Sequence, residues 1–236
     1  MAFLDDDDRW RPAKLERQVA AYAEARGRGE EIVVASFAQI VDEADAALEV
    51  LPRRALSDGQ SVADYLLRRR SVAYGEAMLC SSMLLCSRAL LRSVPLDTGL
   101  VLHQDWDWLI RVTRDGEVRV HTVAEALLEY TRQPEGSSAS RSGRWRASLA
   151  WLQRNRRELS PREYADGLLT VTVPLAIASA DRTAARWVAG HALRRGHPGL
   201  PALLFALLTI SVDPDRLAAL SAIARRVLRS GAQRHG

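Results

Sequence analysis

The chain has 236 residues, 47% hydrophobic and 26% charged, so it can bury a sizeable core and is too apolar for wholesale disorder. Its net charge of +4 comes mainly from arginines spread along the length, which favours anionic partners without choosing among them. Two cysteines, Cys80 and Cys86, are too few for a disulfide framework, and no further ligand sits close enough for a thiolate metal site.

Ala2-Phe3-Leu4 reads as the end of a buried strand that runs into Asp5-Asp6-Asp7-Asp8, a start unlike a signal peptide. A helix is predicted from Pro12, capped by a preceding Asp, with Leu15, Val19 and Tyr22 as its apolar face and Gly27 and Gly29 at its end. Glu31 to Phe37 is β-branched and short, hence a strand. The pattern then predicts a helix over 61–70, a strand over 78–85 that points Cys80 and Cys86 the same way, and a short helix over 88–92. A helix follows over 105–113 and a strand over 118–122. Alternating strands and helices predict an α/β layered domain up to about Tyr130.

Residues 134–143 are rich in Gly, Ser and Pro and read as a linker. Beyond it, helices are predicted over 144–157, 161–180, 182–195, 201–211 and 213–230. The longest apolar stretch, 200–212, contains Pro201 and falls short of the roughly 20 residues of a membrane-spanning helix. Leu217, Leu220, Ile223, Ala224, Val227 and Leu228 make one stripe flanked by Arg225, Arg226 and Arg229, suited to packing on the α/β domain or to an anionic bilayer surface.

Two constellations can carry chemistry. Carboxylates at a strand end suit a hard cation such as Mg²⁺ or Mn²⁺, which takes oxygen ligands and shares them with substrate phosphates. The same four aspartates also suit a solvated turn before a helix. In His103-Gln104-Asp105-Trp106-Asp107-Trp108, Asp105 and Trp108 lie one helical turn apart, so a carboxylate and an aromatic ring can face one cleft. An amphipathic helix that buries its tryptophans gives the same pattern.

The segment Phe3-Leu4-Asp5-Asp6-Asp7-Asp8-Arg9-Trp10-Arg11-Pro12-Ala13-Lys14-Leu15-Glu16-Arg17-Gln18 resembles the metal-site segment of family 2 glycosyltransferases. The Gln104-Asp105-Trp106-Asp107 segment followed by Arg111 resembles that family's catalytic-base motif, with Gln104 where the family usually has Glu. Between them, Ser81-Ser82-Met83-Leu84 and Pro95-Leu96-Asp97 resemble the strand and loop that precede the base. The resemblance covers roughly residues 2–142 and implies a partial GT-A, Rossmann-like mixed sheet with flanking helices over 1–133, the linker, and a helical region over 144–236. It further implies that two to three βαβ units holding the nucleoside would precede Ala2.

By position, the resemblance implies that Asp5 and Asp7 form the acidic pair on the nucleotide sugar, with Asp7 the metal ligand for Mg²⁺ or Mn²⁺ and Asp8 a neighbour or helix cap. Asp105 becomes the base that takes the acceptor's proton, Trp106 and Trp108 the acceptor's platforms, Ser82 a further acceptor contact, and Arg132 a diphosphate contact. The expected partners are a nucleotide-sugar donor and a sugar or lipid-linked acceptor. A cytoplasmic location is expected, with peripheral contact at the inner face of the membrane. The resemblance also leaves room for a non-catalytic scaffold, for a basic membrane-surface module, and for a dimer through an exposed sheet edge. No nucleic-acid motif is present.

Overall fold

The computed structural model describes residues 1–42, 44–132 and 144–211. The expected linker and the 213–230 helix with its apolar stripe lie outside the described residues. Four strands form one mixed sheet in the order β1-β4-β2-β3, where β1 is Arg9–Trp10, β2 Glu31–Val41, β3 Ala47–Leu51 and β4 Val118–Thr131. β2 and β4 run parallel, while β1 and β3 pair antiparallel at the two sides. This is a mixed α/β fold with helices flanking the sheet, consistent with part of a Rossmann-like domain.

β2 is buried on both faces, which explains its unbroken apolar run. Ile32 and Val34 pack towards α1 (Lys14–Gly27) with Ala25, Tyr22 and Leu85, whereas Val33 and Ala35 join the main core. Both predicted strands here are longer than their apolar cores. β2 continues to Val41 and β4 to Thr131, because pairing with each other satisfies backbone groups beyond the β-branched stretches. β3 went unforeseen; it is an edge strand with mixed polarity.

The expected strands over 2–4 and 78–85 shrink to single bridges. Leu85 exchanges two 2.8 Å backbone hydrogen bonds with Val34, and Ala2 bridges Leu85 in turn. The preceding residues instead form a 3₁₀ turn at Ser81–Met83, so the expected common direction of the two cysteine side chains has no strand to stand on. Both thiols are free, and burial pushes both up, Cys86 to about 11.

Helix α1 reverses the expected amphipathicity. Leu15 and Val19 are 44% and 52% exposed, while Lys14 and Gln18 are fully buried. The Gln18 amide donates to the carbonyls of Val34 (3.1 Å) and Met83 (2.8 Å), and Lys14 Nζ donates to Gln18 Oε1. At the seam between α1, β2 and the 3₁₀ turn, Gln18 thus serves the Met83 carbonyl and the second lone pair of the Val34 carbonyl, which already accepts from Leu85. The N-cap is Ala13, so no Asp caps the helix.

The main core lies on the other face. It gathers α2 (Val62–Leu67), α3 (Arg88–Ser93), α4 (Gln104–Val112), α5 (Arg144–Arg154), α6 (Pro161–Gly167), α7 (Val173–Ala178), α8 (Arg182–Arg195) and α9 (Leu200–Ser211) around Trp108, Leu109, Trp151, Leu152, Leu168 and Val188. The helix expected over 161–180 is interrupted by a π turn at Leu168–Thr172. No helix of the described residues is long and apolar enough to cross a membrane.

Candidate active site

The acidic run follows the single bridge at Ala2 and precedes β1, so it is a loop fixed at both ends. Ser82, fully buried in the 3₁₀ turn, accepts the Asp5 amide at 3.0 Å. Its neighbour Ser81 donates its hydroxyl to the Asp5 carboxylate, 2.9 Å to Oδ2 and 3.1 Å to Oδ1. The two serines therefore hold Asp5 by backbone and by side chain.

Asp105 sits in the first turn of α4, where unpaired N–H groups favour an anion. Its Oδ1 accepts the Trp106 amide at 2.9 Å. Burial pushes its carboxyl above the usual carboxylate range; backbone N–H groups of Trp106, Asp105 itself and Ser81 pull it back, and the charge of Asp5 adds to the rise. Ser81 thus lies beside both acids, its hydroxyl donating to Asp5 and its amide approaching Asp105.

Both acids line one cleft of about 630 Å³, with Phe3, Ser81, His103, Trp106 and Tyr130 among its walls. The two constellations, a hundred residues apart in sequence, open onto the same space. Asp7, two residues after Asp5, is exposed and is not among the cleft residues, and Asp8 is not a cap. Asp8 is buried, neither of its oxygens has a well-aligned hydrogen-bond partner, and burial pushes its carboxyl up. The Ser82 hydroxyl and the Thr131 amide approach it and offset part of that rise.

Several expected contacts fall elsewhere. Trp108 is 1% exposed and gives its Nε1–H to the Val94 carbonyl at 2.8 Å, so it floors the cleft instead of offering a ring face. Ser82 holds the acidic loop and has no exposed surface for an acceptor. Arg132 pairs with Glu49 at 2.8 Å, lies 5.6 Å from the Tyr74 ring, and is not among the cleft residues. Trp106 is half-buried in the cleft wall, with Nε1–H on the Leu79 carbonyl at 2.9 Å.

Sequence reasoning missed Ser81 and His103. His103 adopts a left-handed backbone (φ 67°) at the N-cap of α4, stacks 4.8 Å from Trp106, and meets Ser148 Oγ at 3.0 Å through Nε2. Ser148 reaches Thr172 Oγ1 in turn at 2.9 Å. Burial pulls His103 down to about 4, so the ring is neutral at pH 7. Gln104 does not contact Asp105 through its amide nitrogen, which is given to the Leu100 carbonyl at 2.7 Å.

Among the described residues no three His, Cys, Asp or Glu side chains gather as a metal cage. An exposed carboxylate pair fits a different arrangement, in which Mg²⁺ or Mn²⁺ takes one or two protein oxygens and fills its shell from substrate phosphates and water.

Over 164 residues, 69% of the chain, the sequence is 25% identical to the amylovoran biosynthesis glycosyltransferase AmsB of Erwinia amylovora. The match covers 52% of that protein, so the chain spans about half the length of the curated relative. No protein-family model matches the chain, and no solved structure does.

Proposed function

We propose that this chain is the metal- and acceptor-binding part of an inverting, family 2, GT-A-type glycosyltransferase. It moves a sugar from a nucleotide-sugar donor to an acceptor hydroxyl, in the assembly of a cell-envelope polysaccharide or glycolipid. One observation carries the reading: Asp5 and Asp105 line a single cleft, with Ser81 beside both.

Inversion by direct displacement requires the attacking hydroxyl and the departing diphosphate on opposite sides of the anomeric carbon. The acid that takes the proton and the acids beside the diphosphate must therefore flank one space. Asp105 would accept the acceptor's proton; its raised pKa makes it a stronger base than an exposed aspartate. The Trp106 N–H keeps it oriented. Asp7, with Asp5 beside it, would hold Mg²⁺ or Mn²⁺, which when bound stabilises a departing diphosphate as a Lewis acid. Trp106 and Tyr130 would border the acceptor, and Phe3 and Trp108 keep the floor apolar.

A panel of sugar nucleotides, with and without Mn²⁺, tests the assignment through transfer to an acceptor. Asp105→Asn should lower the rate by about 10²- to 10⁴-fold, the range for loss of a general base. Asp7→Ala should remove the response to Mn²⁺ and weaken Mn²⁺-dependent binding of nucleoside diphosphate in calorimetry. Unchanged rates in both variants would sink the assignment.

A further inference from the structure

Next to the acidic cleft lies a second chamber of about 460 Å³, with Pro174 and Leu175 of α7 and Phe205 of α9 among its walls. Met78, Leu102, His103 and Trp106 line both spaces and so form the partition between them. Within that partition the His103 and Trp106 rings are stacked, 4.8 Å apart and 18° from parallel. Whatever fixes the plane of Trp106 therefore sets this boundary of the space beside Asp105.

The hydrogen bond from Trp106 Nε1 to the Leu79 carbonyl, 2.9 Å long, fixes one point of the indole but not its plane. The plane comes from the rings packed against it, His103 on a face and Trp151 edge-on at 6.5 Å and 66°.

His103 is itself held from behind. Its backbone is left-handed (φ 67°, ψ 25°) at the N-cap of α4, a conformation that costs a residue with a Cβ free energy and persists only where the surroundings impose it. Its Nε2 meets Ser148 Oγ of α5 at 3.0 Å, and Ser148 meets Thr172 Oγ1, the last residue of the π turn, at 2.9 Å. Ser148 and Thr172 are fully buried and His103 is 8% exposed. Polar contacts shielded from water in this way are stronger than exposed ones. An apolar ring at position 103 could stack on Trp106 but turn about its own axis; the contact with Ser148 selects one orientation. Burial also keeps the ring neutral at pH 7, so it puts no positive charge two residues from Asp105.

We propose, resting on the glycosyltransferase reading, that His103 is a positioning residue for the acceptor. Its stack on Trp106 holds the indole in one plane for the acceptor's sugar ring, and Ser148 and Thr172 anchor it to α5 and the π turn. A face set in advance loses less freedom when the sugar binds. The effect of His103 therefore falls on acceptor affinity, while proton removal stays with Asp105.

The test is transfer by the full chain from the sugar-nucleotide panel with Mn²⁺, with methyl glycosides as acceptors, measuring kcat and the KM of each substrate. Ser148→Ala keeps the ring but frees its rotation, and should raise the acceptor KM about threefold to tenfold, the range for one lost hydrogen bond. His103→Asn keeps the left-handed backbone, removes the stack and should raise it at least as much. In both, kcat and the donor KM should move much less, the pattern of lost ground-state binding. Thr172→Val keeps the shape without the hydroxyl; it should give a smaller rise, and adding it to Ser148→Ala should change little because the two act through one contact. Folding is checked by circular dichroism, and the two hydroxyl variants carry the test if His103→Asn does not fold. An unchanged acceptor KM in folded Ser148→Ala and His103→Asn would overturn the proposal. Equal losses in kcat and in both KM values would overturn it too, since a merely structural role gives that pattern. Absence of transfer by the wild-type chain defeats the glycosyltransferase reading and this assignment with it. Transfer with an unmoved acceptor KM defeats this assignment alone.

Discussion

Helix α4 carries two aspartates two residues apart, and its two sides use them differently. Asp105 faces the cleft, is held by backbone N–H groups, and has no cationic partner among the described residues. Asp107 points into the helical half, where its 1% exposed side chain accepts from Arg111 Nε (2.7 Å), Arg154 Nη2 (3.1 Å) and Trp151 Nε1 (3.0 Å). The partner sets separate a carboxylate that can change its protonation from one that locks α4 onto α5. In the sequence Asp-Trp-Asp-Trp they look interchangeable. The tryptophans divide in the same way, Trp106 into the cleft wall and Trp108 into the core.

The contrast breaks if the two acids respond alike to removal. Asp107→Ala leaves two guanidinium groups and an indole N–H without their acceptor and should lower stability by about 3 kcal/mol, the low end for a broken buried pair because Arg154 is half-exposed. Asp105→Asn should leave the urea midpoint nearly unchanged while activity falls. Equal losses of stability in the two variants would erase the distinction.

A smaller effect should come from His103, which joins the two sides. Its folded pKa, about 4, lies below the ordinary 6.5, so the folded state disfavours the charged ring. Its contribution is present above pH 6.5 and is lost as pH falls towards 4, on the order of 3 kcal/mol by linkage. Asp8 and Asp105, both raised, act in the opposite sense as they protonate. Denaturation at several pH values should therefore show a slope between pH 6.5 and 4 that flattens in His103→Asn, a residue that tolerates the left-handed backbone. An identical slope in the variant would mean that other groups carry it.

The smallest expected change is at Ser81. Ser81→Ala removes the hydroxyl from the Asp5 carboxylate but keeps the amide on Asp105, and should cost about 1 kcal/mol at most, since the contact is exposed. Its sharper readout is kinetic: a higher KM for the nucleotide sugar with a smaller change in kcat. A loss of kcat alone would assign Ser81 to the acceptor side.

Much of the frame was legible in the residues. β2, α4, α5, α8 and α9 follow from their apolar periods. What was hidden has physical reasons. Leu15 and Val19 mimic a core face, but the seam under α1 presents the carbonyls of Val34 and Met83, and the polar side chain of Gln18 donates to both. The run Met78–Cys86 is apolar enough for a strand, yet Ser81 and Ser82 spend their hydrogen bonds on Asp5 and turn the chain. Arg69 and Phe205 are far apart in sequence, so no local pattern announces their stacking. Ser160-Pro161-Arg162-Glu163, by contrast, spells the capping box that starts α6, a signal available to closer reading.

The π turn at Leu168–Thr172 has a consequence for how this scaffold varies. A widened turn carries an extra residue, and each residue of an ordinary helix rotates the next by about 100°. A homologous helix shorter by that one residue would be an uninterrupted rod whose second half presents a different face. Pro174 and Leu175 would swing away from Phe205, and Thr172 would lose Ser148. Insertion or deletion of a single amino acid here is thus a simple way to reshape one chamber while the sheet and its acids stay in place.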